Sequence, residues 1–268
     1  MNKIKRVYIY LFLSISAFVS IFPFFWMVIG ATNKSLDITK GSLIPGSDLF
    51  NNINNLFTQS SMAEAFKSSL IISILTTVLA IAISSLAGYG FEVFKSKHKD
   101  RLMNFLLLSM MIPFSALMVP LYRLFANFGM LNKYSAVIIP AISTAFLIFF
   151  FRQNTKFFPK EILEAARVDG LNEFSIFTKI YLPSMKATYA AAAIITFMAS
   201  WNNYLWPLIA LQTPDKMTLP LVLSTLSSSY FPDYGVIMVG IVISTIPTAL
   251  IFFIMQKSFV EGMLGSVK

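Results

Sequence analysis

Residues with the makings of chemistry are sparse in this sequence, and they gather in one stretch. The chain has no cysteine, which excludes disulfides, thiol nucleophiles and thiolate metal sites together. Its single histidine, His98, lies in the run Lys95-Ser-Lys-His-Lys-Asp-Arg101, which reads as a solvated loop with no partner ligand nearby. A G-x-x-x-x-G-K-[ST] phosphate loop is missing, so the chain does not hold ATP by that device. What remains is Phe158-Pro-Lys-Glu-Ile-Leu-Glu-Ala-Ala-Arg-Val-Asp-Gly170, with Glu161, Glu164 and Asp169 along one short segment. A carboxylate in the last turn of a helix opposes the macrodipole by about 0.3 to 1 kcal/mol. Asp169 is therefore expected to meet a cation, either on another subunit or as Lys179 further along. Ala165 and Ala166 leave one helix face bare, close enough for a partner's backbone to touch. An amphipathic helix resting on lipid accounts for the same pattern and stands beside that reading.

The punctuation of this stretch predicts two short helices. Pro159 suits the first helical position, Glu161 the first turn, and Gly170 a left-handed stop. A second helix begins at Asn172, placed to cap the amide of Ser175, and presents Phe174, Phe177, Ile180 and Tyr181 at helical spacing until Pro183 ends it. The product is a helix-turn-helix.

The rest of the chain must hold that pair, and its composition says in what medium. Hydrophobic residues make up 56% and charged residues 12%, against roughly 25% charged in a soluble domain. The net charge of +9 sits in short clusters between apolar runs rather than on one basic face, so nucleic-acid binding is excluded. Six windows are long and apolar enough to span a bilayer: 8–31, 68–91, 102–122, 134–151, 187–211 and 235–256. The fold class is all-α, integral to a membrane. The first window follows Lys3, Lys5 and Arg6, but its apolar run exceeds a signal peptide's core, so it reads as an uncleaved span.

Positive loops stay cytoplasmic. Fifteen of the 21 Lys and Arg residues fall on one side of a six-span arrangement, including Lys95 to Arg101 and Arg152 to Lys186. Both termini and the helical pair are then expected inside, with segments 32–67, 123–133 and 212–234 outside.

The windows contain no Asp, Glu, His, Lys or Arg, although a proton- or ion-coupled carrier usually keeps such a group on its path. The driving energy is expected to come from a partner ATPase. Glu92 and Arg123, just past span ends, read as snorkelling to the interface. Small residues recur at four-residue spacing as Ala80, Ser84, Gly88 and as Gly240, Ser244, Thr248, a pattern for close helix packing inside the subunit or at a seam with another. Prolines 113, 120, 140 and 247 lie in or beside spans, where neighbouring helices can satisfy the freed carbonyls. Asn202 and Asn203 form the most polar pair inside the fifth window and need other helices or a wet cavity. For Trp201, Tyr204 and Trp206 two readings stand open, an interfacial aromatic belt and a solute-facing wall or outer gate.

Glu164-Ala-Ala-Arg-Val-Asp-Gly170, followed by Phe177, Ile180 and Leu182-Pro183, resembles the EAA loop of ABC importer permeases. The likeness extends over most of the chain, including Trp201-Asn-Asn-Tyr-Leu-Trp-Pro207 and the ending Phe259 to Lys268, and is nearest the shorter permease of carbohydrate importers in the maltose and multiple-sugar class. Lys186-Ala187 departs from it, since many relatives place a proline there. The resemblance implies one six-span domain over 1–268, with a coupling loop at about 158–183 that docks on an ATPase through Glu164, Ala165, Ala166, Asp169 and Gly170. It also implies a second homologous permease, two ATPase subunits that bind ATP and Mg, an extracytoplasmic solute-binding protein and a sugar substrate, with no cofactor or catalytic residue in this chain. Half of a secondary transporter and a non-transporting scaffold are the rival readings.

Overall fold

The computed structural model describes the backbone of residues 3–264 and the side chains of residues 5–257. Of the terminal stretch that carried part of the resemblance, Gly265 to Lys268 lie outside the described residues, as do the side chains from Ser258 onward. Among the described residues all regular structure is helical. In chain order the helices are α1 (Lys3–Ala31), α2 (Ser35–Thr39), α3 (Leu49–Gln59), α4 (Met62–Val93), α5 (Lys97–Ser109), α6 (Phe114–Asn127) and α7 (Tyr134–Ala141). There follow α8 (Ala145–Thr155), α9 (Lys160–Val168), α10 (Glu173–Ile176), a π-helical turn at Phe177–Tyr181, and α11 (Leu182–Ser184). The last four are α12 (Lys186–Trp201), α13 (Leu205–Ala210), α14 (Leu219–Ser227) and α15 (Tyr234–Leu264). The chain forms two compact units, residues 1–63 with 219–247, and residues 64–218 with 248–268.

Among the described residues three helices, α1, α4 and α15, are long and apolar enough to cross a membrane unbroken. The window 102–122, expected as one span, is instead α5 and α6 bent by 98° at a break. Proline explains the position: Pro113 has no N–H for the carbonyl of Ser109, where α5 ends, and it starts α6 as its cap residue. The fourth window is α7 and α8, bent by 41°. Counting each bent pair once gives up to five spans. The fifth window holds α12, whose 16 residues reach about 24 Å at 1.5 Å per residue, then a turn at residues 202–204 and the short α13. Here Pro207 is the breaker, because a continuous helix would need its absent N–H at the Asn203 carbonyl.

The first unit is knitted at one end by polar side chains. The buried Asn52 amide donates to the carbonyls of Ala31 and Asn33, both at 3.0 Å, and so satisfies the end of α1. Asp233 accepts from the backbone of Gly235 and Val236, capping α15, and also from the Ser35 hydroxyl at 2.8 Å. At Gly240 a Cβ would meet Leu223 at 2.6 Å, so the second small-residue stripe packs inside the chain at that position.

Among the described residues the second unit carries three apolar clusters. One gathers Ile72, Phe125, Ala136, Val137, Ile138 and Trp206. Another joins Ala80, Leu147, Phe151 and Ala192. The third, under the predicted helix-turn-helix, holds Tyr89, Phe158, Leu163, Ala166, Ile176, Phe177 and Tyr181. Ala80 and Ser84 are fully buried, and at Gly88 a Cβ would lie 2.6 Å from the Phe151 Cβ and 2.8 Å from the Arg152 backbone nitrogen. Only glycine lets α4 and α8 approach this closely, so the first stripe is also an internal seam. In α7, Pro140 leaves the Ala136 carbonyl without its helical donor, and the Trp206 indole N–H takes its place at 2.8 Å.

Candidate functional site

The helical pair forms, with a tighter turn than its sequence alone required. Gly170 has φ +81°, in the left-handed region. The Gly170 amide donates to the Arg167 carbonyl and the Leu171 amide to the Ala166 carbonyl, both at 3.0 Å, which is the Schellman pattern of helix termination. Leu171 and Ala166 then meet in the cluster below. On the far side of the turn, the Asn172 side chain accepts from the Ser175 amide at 2.8 Å, as predicted. Pro159 stands one place earlier than expected: it is the cap residue, with extended ψ of 122°, and Lys160 begins the helix.

A charged lock holds the two helices, and the sequence reading missed it. Arg167 Nε donates to Glu173 Oε1 at 2.6 Å across the turn, while the Tyr89 hydroxyl at the end of α4 donates to Glu173 Oε2 at 3.2 Å. The hydrogen bond from Arg167 keeps the Glu173 carboxyl below the usual carboxylate range. The signal was available as opposite charges six residues apart around a glycine. The Asp169 to Lys179 pairing considered from sequence is not among the ion pairs of the described residues, and Asp169 stays exposed on the turn.

The second helix departs from its predicted stripe. Ile176 is fully buried and Phe174 is 72% exposed, whereas Phe177 and Tyr181 point inward and Ile180 is half-buried. Pro183 does not end the helix. The chain widens into the π-turn, where the Leu182 amide reaches the Phe177 carbonyl, then returns to α spacing with the Met185 amide on the Tyr181 carbonyl at 3.0 Å. Ser184 Oγ donates to the Ile180 carbonyl at 2.7 Å. Tyr181, whose hydroxyl is 2.6 Å from Thr155 Oγ1, has its phenol pushed well above its usual pKa by burial. Leu182 and Pro183 are exposed.

What α9 presents outward is therefore narrower than the sequence suggested. Ala166 belongs to the chain's own core at 4% exposure, so of the two alanines only Ala165 is bare. An open groove of about 430 Å³ runs past Glu161, Ile162, Ala165, Asp169, Leu171 and Ile180. Exposed Val168 and Phe174 flank the turn beside Glu164 and Asp169. The result is a rigid surface of apolar side chains and carboxylates.

Behind it lies a second cluster that corrects the snorkelling assignment. Glu92 is buried, not interfacial. It accepts from Arg152 Nε at 3.4 Å and from Lys95 Nζ at 2.8 Å, and Arg152 also pairs with Asp100. Arg152 is itself buried, so each charge is met by an opposite one. His98 is solvent-exposed as expected, although it lies in the first turn of α5 rather than in a loop.

The aromatic pair of the fifth window changes place too. Trp201 and Trp206 are each 1% exposed inside the second unit, Trp201 stacked on Phe197 at 5.5 Å and Trp206 tied to Ala136. Neither forms an aromatic belt, and neither offers a ring face to solute here. Asn202 is exposed and donates to the Met198 carbonyl at 2.9 Å, whereas Asn203 lines a cavity.

Long apolar helices, proline-broken helix pairs and one acid-bearing helix pair define a polytopic membrane protein. The chain belongs to the family described as binding-protein-dependent transport system inner membrane component, which it matches over residues 80–265. It is similar to the lactose transport system permease protein LacG of Rhizobium radiobacter, 52% identical over 267 residues covering 100% of this chain and 98% of the relative. It is also similar to the arabinooligosaccharides transport system permease protein AraQ of Bacillus subtilis, 35% identical and covering 99% and 97% of the two chains. Among solved structures, a bacterial ABC transporter involved in the import of the acidic polysaccharide alginate shares the fold, with TM-score 0.84 at 19% identity over 97% of this chain and 99% of that one. The chain is thus a transport permease, a membrane component that works with a binding protein and an ATPase.

Proposed function

We propose that this permease carries a neutral sugar or oligosaccharide inward by alternating access, driven by ATP that two partner ATPase subunits bind with Mg and hydrolyse. A second homologous permease and an extracytoplasmic sugar-binding protein complete the complex. Six spans, with both termini and the α9–α10 pair in the cytoplasm, fit the distribution of basic residues. The sugar assignment draws on the relatives' named substrates, lactose and arabinooligosaccharides.

The observation that carries the coupling role is the α9 surface. Its turn is set by the Schellman bonds and bridged by the Arg167–Glu173 pair, so a push on Glu164, Ala165 or Asp169 passes through Ala166, Phe177 and Tyr181 to the end of α4. A loose loop transmits no such displacement. Ile180 lines the groove edge, and Leu182 with Pro183 leads from the pair into α12.

The test is co-purification and uptake. The ATPase should remain bound to the wild-type permease in detergent, and Glu164→Lys should release it while membrane abundance and pairing with the second permease stay normal. Sugar uptake by proteoliposomes should need ATP and ignore a proton ionophore. Uptake driven by a pH gradient without nucleotide, or ATPase retained by Glu164→Lys with full transport, would overturn the proposal.

A further inference from the structure

We infer that this subunit carries its own subsite for one ring of a neutral, hydroxyl-rich solute, in the cavity between α4, the α7–α8 break and the end of α12. The inference rests on the importer reading and assigns the sugar contact that reading leaves unplaced.

The cavity measures about 280 Å³ and lies wholly within the second unit. That volume is near the lower end of the roughly 300–1,000 Å³ of small-molecule sites. It suits a single sugar ring better than a chain of them. Five neutral polar side chains reach it: Thr76 from α4, Thr144 from the α7–α8 break, Thr196 and Ser200 from α12, and Asn203 from the turn after it. Among the described residues no charged side chain lines it, which disfavours anions and cations and favours hydroxyl partners. Phe146, 43% exposed, adds an aromatic face, and sugar rings pair an apolar face with a polar rim.

Two independent features point to a ligand rather than to a packing flaw. The first is Thr76, 2% exposed, whose hydroxyl finds no hydrogen-bond partner among the described residues. A buried hydroxyl without a partner is costly unless something arrives to bond it. The second is that both helix breaks of this region, at residues 142–144 and 202–204, end at this one cavity. Irregular backbone at membrane depth is tolerated where it lines a cavity, and discontinuous helices mark solute sites in transporters.

The experiment uses the complete importer, with its partner permease, ATPase and binding protein, in proteoliposomes, and takes lactose and arabinotriose as probes. Thr76→Val keeps the shape and removes an unpartnered hydroxyl, so thermal stability should hold or rise. Sugar uptake should nevertheless fall about tenfold, as should that of Asn203→Leu, with binding-protein-stimulated ATP hydrolysis retained. In Thr196→Cys, introduced into a cysteine-free chain, the transported sugar should slow modification by a small methanethiosulfonate. If the wild type takes up a sugar, both variants do so equally well, and sugar gives no protection, the subsite is overturned and the importer reading stands. If the wild type carries neither sugar, the sugar reading falls and the subsite with it.

Discussion

The α9–α10 turn and the α4–α8 seam are held by different physics. The turn is built from neighbours in sequence: a left-handed glycine, two backbone bonds across three and five residues, an asparagine cap, and an ion pair six residues apart. The seam joins residues 52 and 60 apart, with Arg152 of α8 between Glu92 of α4 and Asp100 of α5. Local devices each contribute modestly and fail one at a time. The seam puts buried charges in contact, so removing one partner strands the other. The coupling role proposed for the pair would draw on both, a turn that keeps its shape and a seat that does not yield.

The largest effect is expected at the seam. Arg152→Met leaves Glu92 buried with only Lys95 to meet it, and should cost about 3 kcal/mol, the lower end for a broken buried pair. Thermal unfolding in detergent should show most of that loss recovered in the Glu92→Gln, Arg152→Met double variant. Equal losses in single and double variants would mean that the seam is held by packing and that the contrast drawn here is false.

The turn should answer more gently. At Gly170 a Cβ meets no atom within 4 Å, so substitution is opposed by backbone conformation alone. Gly170→Val should cost about 1 to 2 kcal/mol and loosen ATPase retention. Gly170→Asn should be nearly neutral, since asparagine tolerates the left-handed region. A matching defect in both variants, read by unfolding and by ATPase pull-down, would point to a contact rather than a conformation.

Asn172→Ala removes one cap and should lower the unfolding midpoint by the equivalent of about 1 kcal/mol. Smallest of all is Glu173→Gln, because its pair with Arg167 is about 40% exposed and screened by solvent, and is worth roughly 0.5 kcal/mol. The sign with pH is fixed. Arg167 lowers the folded carboxyl's pKa, so the contribution is present above the unfolded value and is lost as pH falls through the folded one. The stability gap between wild type and Glu173→Gln should close in acid, and a gap that widened there would reverse the assignment.

Sequence made the turn legible because its determinants are local: Gly170 and Asn172 each announce a backbone need that no distant residue alters. The apolar windows were legible for the same reason, as composition alone sets whether a segment tolerates lipid. What stayed hidden depended on partners far along the chain. Glu92 looks like a span-end residue until Arg152 is brought beside it, and Trp206 looks interfacial until Pro140 frees a carbonyl for its indole. Ala165 and Ala166 are identical in type, and only the phase of α9 against Tyr89 and Phe177 decides which is covered. The span breaks were half legible, since Pro113 and Pro140 were marked but their bends were not, and Pro207 went unmarked.

The π-turn at Phe177–Tyr181 acts as slack in the helix. A π-turn holds one residue more than an α-turn, and each residue of an α-helix advances it by about 100° and 1.5 Å. The wider turn takes up that single extra residue, so the helical segments on either side keep nearly the phase of an unbroken helix. Deleting Thr178 should let the segment close to regular α geometry with the faces of α10 and α11 nearly unchanged, whereas the same deletion in a regular stretch of helix would turn its flanks by about 100°. Length at this point of the chain is therefore cushioned: the widened turn absorbs a residue that regular α spacing would convert into rotation.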